Sequence, residues 1–235
     1  MNITPPTGIT PTQATTYNDI SRLQILTYPH ENKRVHINTP DDEITRKINS
    51  ILEPYKDECY CITFVGYSAM KYADNNLPGT IIRNKLEQCL QENPDKRLVL
   101  VCGATIDGIG MAYKIASEEK FKNILCIGIV SANVDLDERA IIASELNDST
   151  LIKVPSAAIN KWETEDENNY QYMLHATWVN GGELVTLSGG QIALKETEKA
   201  IEMGIKTTII RFEPGNLNGK PYETACAVNT KYFTT

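Results

Sequence analysis

Nothing in this 235-residue sequence is apolar for long enough to cross a bilayer. The longest unbroken runs, LVLVC at 98–102 and ILCIGIV at 124–130, fall far short of the roughly 20 residues a spanning helix needs. Basic excess is missing too. Thirty acidic against 23 basic side chains leave a formal charge of −7 and a pI near 5.1, which argues against a surface that coats nucleic acid. The basic segment and apolar stretch of a secretory signal do not open the sequence, so the expected location is the cytoplasm. The three histidines are scattered, and Cys59-Tyr60-Cys61 lacks the two-residue gap of a zinc knuckle. Neither a metal nor a cofactor is expected. Of the six cysteines, Cys61, Cys102 and Cys126 fall in apolar runs, where a free thiol behaves as a small hydrophobe. Reduced thiols are expected rather than a disulfide framework.

With 41% hydrophobic and 23% charged residues, the chain can bury a sizeable core. Residues 1–19, rich in Thr and Pro, show no periodicity and read as a flexible arm. The runs Leu23–Tyr28 and Arg34–Ile37 flank the turn-forming Pro29-His30-Glu31-Asn32 and predict a hairpin. Thr39-Pro40-Asp41-Asp42 opens a helix with the apolar stripe Ile44, Ile48, Ile51 and Leu52. Residues 20–58 thus form a hairpin-and-helix annex.

From residue 59 onward, continuous apolar strands alternate with amphipathic helices. Strands are expected at CYCITFVG, RLVLVC, NILCIGIV, LIKV, ELVTL and KTTIIRF. Helices are expected at 78–93, after Gly110, at 137–147, around Met173–Val179 and after Gly190. The acidic run Glu163–Glu167 reads as a solvated loop, with a flap over a site as the alternative. The tail from Pro214 reads mostly as loop. Uninterrupted apolar strands separated by helices predict a parallel sheet covered on both faces. The expected fold class is therefore α/β: a Rossmann-like, doubly wound, mostly parallel sheet over 59–235, with the hairpin annex before it.

Three of the expected strands end in turn-forming residues, and open α/β sheets bind ligands outside the carboxyl ends of their strands. The first turn is Gly66-Tyr67-Ser68. The second runs Gly103-Ala104-Thr105-Ile106-Asp107-Gly108-Ile109-Gly110. The third, Ser188-Gly189-Gly190-Gln191, leads into a helix whose apolar positions are Ile192, Ala193, Ala200, Ile201 and Met203. A helix N-terminus presents unpaired amides and the positive end of its dipole, a ready anion site. Gly66, Ser68, Gly103, Ala104, Thr105, Asp107, Gly108, Gly110, Ser188, Gly189, Gly190 and Gln191 are the candidate phosphate-binding residues. Asp107 could accept from a ribose hydroxyl or cap a helix, and Ser68 and Thr105 could donate to phosphate or close a turn. No turn carries the Gly-Lys-Ser/Thr ending of a P-loop, which disfavours triphosphate hydrolysis.

This order of strand, Gly-x-Ser, strand, Gly-rich turn and strand, Gly-Gly, helix resembles the LOG or "lysine decarboxylase-like" family and the broader SLOG group of nucleotide-binding domains. The likeness spans roughly residues 59–212. Ser188 through Glu196 correspond to the family's Pro-Gly-Gly-x-Gly-Thr-x-x-Glu signature. Ser188 stands for the proline, Ile192 for a glycine and Ala193 for the threonine. The family's phosphoribohydrolases pair the closing glutamate with an upstream arginine. Here Glu196 is present, and the helix YQYMLHATWVN has no arginine; His175 within it reads as a packed core residue or as a substitute charge. The resemblance implies Glu196 as the catalytic residue if catalysis is retained, and a homodimer.

Three functions follow. The first is a sensor or binding module for a nucleotide-derived phosphate ligand: a nucleoside phosphate, ADP-ribose or an NAD-like molecule. The second is hydrolysis of the N-glycosidic bond of a nucleoside 5′-monophosphate. The third is an interaction protein on a degenerate nucleotide-binding fold, suggested by the bulk of Ile192. Neither nucleic acid nor membrane is an expected partner.

Overall fold

The computed structural model describes residues 23–30, 37, 39–133, 149–155 and 162–233. The expected arm at 1–19, most of the second hairpin run and the expected helix at 137–147 lie outside them.

Seven strands form one sheet in the order β1-β7-β6-β2-β3-β4-β5. They are β1 (Ile25–Tyr28), β2 (Cys59–Gly66), β3 (Arg97–Gly103), β4 (Leu125–Ser131), β5 (Ser149–Val154), β6 (Gly182–Leu187) and β7 (Lys206–Ile210). All neighbours run parallel except β1, which pairs antiparallel with β7. The first run of the expected hairpin is thus an edge strand of the main sheet. Alternating strand residues feed two cores. Ile62, Phe64, Leu98, Leu100 and Cys102 face one side, together with Ile82 and Leu86 of α2 (Asn76–Glu92) and Tyr113 of α3 (Met111–Ala116). Cys61, Val65, Val99, Val101 and Ile127 face the other, with Ile48 of α1 (Glu43–Leu52), Ala176 of α4 (His175–Asn180) and Ala200 of α5 (Gln191–Glu202). Both faces are covered, as continuous apolar strands require.

Local chemistry sets the element ends. Asp42 caps α1: its carboxylate accepts from the Thr45 amide at 2.8 Å, and the Thr45 hydroxyl answers the Asp42 amide at 3.2 Å, a reciprocal capping box. Two buried hydroxyl pairs tie helices to the sheet, Thr63 with Thr177 of α4 at 2.6 Å and Thr186 with Thr197 of α5 at 2.8 Å. The tail differs from the sequence expectation. Its last Pro is Pro221 and its last Gly Gly219, and α6 (Tyr222–Ala225) and α7 (Ala227–Tyr232) follow. Ala225, Cys226, Ala227 and Val228 are small and apolar enough to pack into the cores, and the Val228 amide donates to the Gly189 carbonyl at 3.1 Å.

At the amino ends of the strands, Glu183 is fully buried between Lys85 (2.8 Å) and Lys206 (3.2 Å), and the Cys89 thiol donates to it at 3.3 Å. Burial alone would raise its pKa, but Lys85 first, then Lys206 and Cys89, hold it below the usual carboxylate range. Because removing one member of a buried pair strands the others, Glu183→Ala is expected to cost about 3 kcal/mol, read as a lowered urea midpoint at neutral pH. An unchanged midpoint would contradict the assignment.

Candidate functional site

The chain passes from β2 outward through β3, β4 and β5, then returns to the other side of β2 to lay down β6 and β7. The strand order therefore reverses between β2 and β6, whose last residues, Gly66 and Leu187, are register partners. Such a switch point opens a crevice at the carboxyl edge of the sheet. A cleft of about 600 Å³ occurs there, within the range of small-molecule sites. Gly66, Ser68, Gly103, Thr105, Asp107 and Glu196 line it.

The first two turns interlock. The Ile109 amide donates to the Tyr67 carbonyl at 2.6 Å. Gly108 sits at φ +60°, where a Cβ would come within 2.1 Å of that carbonyl oxygen; at Gly110 it would lie 1.5 Å from the Thr105 carbonyl oxygen. Both glycines are demanded by backbone contact, and they stand behind the cleft wall with buried Ala104. The Thr105 hydroxyl donates to the Asp107 carbonyl at 3.0 Å and closes the turn. Asp107 occupies the position preceding the short 108–110 turn but makes no side-chain cap there; its carboxylate pairs with Lys71 at 3.3 Å. The Ser68 hydroxyl has no partner among the described residues.

The third turn is held from behind. Ser188 adopts φ +53°, and its buried hydroxyl contacts the Asn229 Oδ1 at 2.6 Å and accepts from the Phe212 amide at 2.6 Å. Gly189, at φ +134°, lets the chain pass against Ala193 and Gly66. Gly190 then precedes α5. Ser188, Gly189, Gly190 and the exposed Gln191 lie outside the lining; Ile192 and Ala193, the next two residues, take their place in it. Among the described residues no side chain caps α5, and the first helical amide to find a carbonyl is that of Leu194, on Gly190 at 3.0 Å. The preceding amides and the positive dipole end lie at the start of α5, where Ile192 and Ala193 line the cleft.

Glu196 lies one turn deeper on α5, 5% exposed, and lines the cleft without a hydrogen-bond or ion-pair partner among the described residues. Burial first, and the Glu165 carboxylate second, push its pKa up to about 8, so near neutral pH it is a protonated acid. Thr164, also 5% exposed, belongs to the same lining, and its hydroxyl is buried without a hydrogen-bond partner among the described residues. His175 is a packed residue: Tyr170 meets its Nδ1 at 2.7 Å and Asn49 its Nε2 at 2.8 Å, and burial lowers its pKa to about 4. It does not line the cleft.

Sequence reasoning missed Ser131, Trp162, Thr164, Asn218 and Lys220 in the lining. Ser131 ends β4 and obeys the same strand-end rule that found the first three turns. Thr164 sits in the acidic run read chiefly as a solvated loop, Trp162 immediately before it, and Lys220 in the tail read mostly as loop. Lys195 of α5 binds that acidic segment, 3.2 Å from Glu165 and 3.5 Å from Glu163.

The arrangement is an open α/β sheet with an anion-competent cleft at its switch point. No protein-family model matches the chain, and no curated protein matches it in sequence.

The buried Glu196 acid has a measurable signature. Its ordinary pKa is 4.5 and its folded one about 8. The neutral form stabilises the fold fully below the lower value, and this contribution is lost as pH rises toward the upper one, at about 1.4 kcal/mol per unit. Glu196→Gln is expected to remove that decline, so that the variant gains stability over wild type between about pH 5 and pH 8 in urea titrations. Parallel pH profiles would contradict it.

Proposed function

We propose that the cleft binds a nucleotide-derived phosphate ligand, such as a nucleoside phosphate, ADP-ribose or an NAD-like molecule, and that the protein is a sensor or binding module. The observation that carries this is the uncapped start of α5 beside two other strand-end turns, Gly66–Ser68 and Gly103–Asp107, around one cleft. Helix amides and dipole favour an anion there, and Ser68 and Lys220 supply donors. The resemblance to the LOG and SLOG nucleotide-binding domains supports the same reading.

A second reading rests on Glu196. An unpartnered carboxyl kept neutral in a cleft can give a proton to a departing base, as hydrolysis of an N-glycosidic bond requires. Against it, the helix where the family carries its arginine offers only neutral, buried His175. Ser188 also holds a φ of +53° that proline, the family's residue at that place, cannot adopt. Binding is the reading we favour.

Calorimetric titration of the full chain with AMP, ADP-ribose and NAD tests it. Saturable binding of at least one, with no free base released on chromatography, is expected. Base release abolished in Glu196→Gln would establish the hydrolase instead, and no heat with any of the three would remove the nucleotide reading.

A further inference from the structure

Trp162 is one of the few large apolar side chains that the described residues leave in solvent, 42% exposed. It does so at the lining of the cleft, with Met173 and Ile192 as apolar company. A solvent-exposed indole in a wall that also holds Phe64, Val65, Ile109 and Ile129 does little for the fold, since its burial is incomplete. No other ring or cation stacks on it among the described residues.

The residue is also braced. The Trp162 amide donates to Glu163 Oε2 at 3.1 Å. Glu163 in turn meets Lys195 at 3.5 Å, and Lys195 meets Glu165 at 3.2 Å. Lys195 belongs to α5, the helix whose Ile192 and Ala193 line the cleft near its start. One helix thus positions both an anion-binding end and an aromatic wall. Glu196, 5% exposed and unpartnered among the described residues, lies in the same lining and awaits a polar partner from whatever enters.

We propose that Trp162 is a stacking platform for the aromatic base of the ligand, so that the cleft selects nucleotides over sugar phosphates that lack a base. This rests on the phosphate-binding reading of the same cleft. Base–aromatic stacking is tolerant of which base is present, because every base offers a π-face. The wall therefore selects a class of ligand, and the polar groups beside it choose within that class. Trp162 acts in this role by direct contact, through its ring face.

The test compares AMP with ribose 5-phosphate on the full chain by calorimetry. The sequence has two tryptophans, at 162 and 178, so a Trp178→Phe background lets fluorescence report Trp162 alone. AMP is expected to bind at least about tenfold more tightly than ribose 5-phosphate and to quench Trp162 on saturation. Trp162→Ala should bring AMP to the level of ribose 5-phosphate and leave ribose 5-phosphate unchanged, whereas Trp162→Phe should keep most of the preference. Urea midpoints of the variants establish that they remain folded. If ribose 5-phosphate binds and the AMP preference is absent, or survives in Trp162→Ala, the stacking role is overturned while the phosphate site stands. If neither compound binds, the phosphate reading fails and takes this proposal with it.

Discussion

The carboxyl edge of the sheet depends on one backbone contact, the Ile109 amide on the Tyr67 carbonyl at 2.6 Å. It presses the second glycine turn onto the first so closely that no side chain fits at Gly108 or Gly110. With those turns fused, Gly66, Ser68, Gly103 and Thr105 form one continuous wall. Ser188 performs the matching task on the far side of the switch point. Its hydroxyl fastens the third turn to Phe212 and Asn229, which fixes where α5 begins and where its free amides point.

Two buried glutamates show how the environment divides the labour. Glu183, at the amino ends of the strands, has two lysines and a thiol around it and stays ionised. Glu196, at the carboxyl edge, has no cation against it among the described residues and a carboxylate in range, so it holds its proton. A partnered carboxylate knits structure together. An unpartnered neutral one, lining an open space, costs stability above its ordinary pKa and leaves a polar group waiting for a ligand.

The sheet was legible because its signal is continuous: runs such as Leu98–Cys102 and Ile124–Val130 can only be strands covered on both faces. The strand-end rule likewise put Gly66, Ser68, Gly103, Thr105 and Asp107 at one edge. Residues whose role depends on distant partners were not legible. Glycine spacing does not distinguish a ligand cradle from a close backbone contact, so Gly108 and Gly110 were grouped with the cradle. Nothing local says that Ser188 turns its hydroxyl toward Asn229, 41 residues on. The strand at Ile25–Tyr28 pairs with β7, far along the chain, and Trp162 and Lys220 reach the cleft only through the path of the loops that carry them.

The most direct test of the account is an amide chemical-shift map of the protein titrated with AMP. The account predicts that the amides of Gln191, Ile192 and Ala193 shift together with those of Ser68 and Thr105, all with one saturation curve. Shifts confined to other surfaces, or none at millimolar AMP, would contradict the central claim that the start of α5 and the interlocked turns form one phosphate-binding cleft.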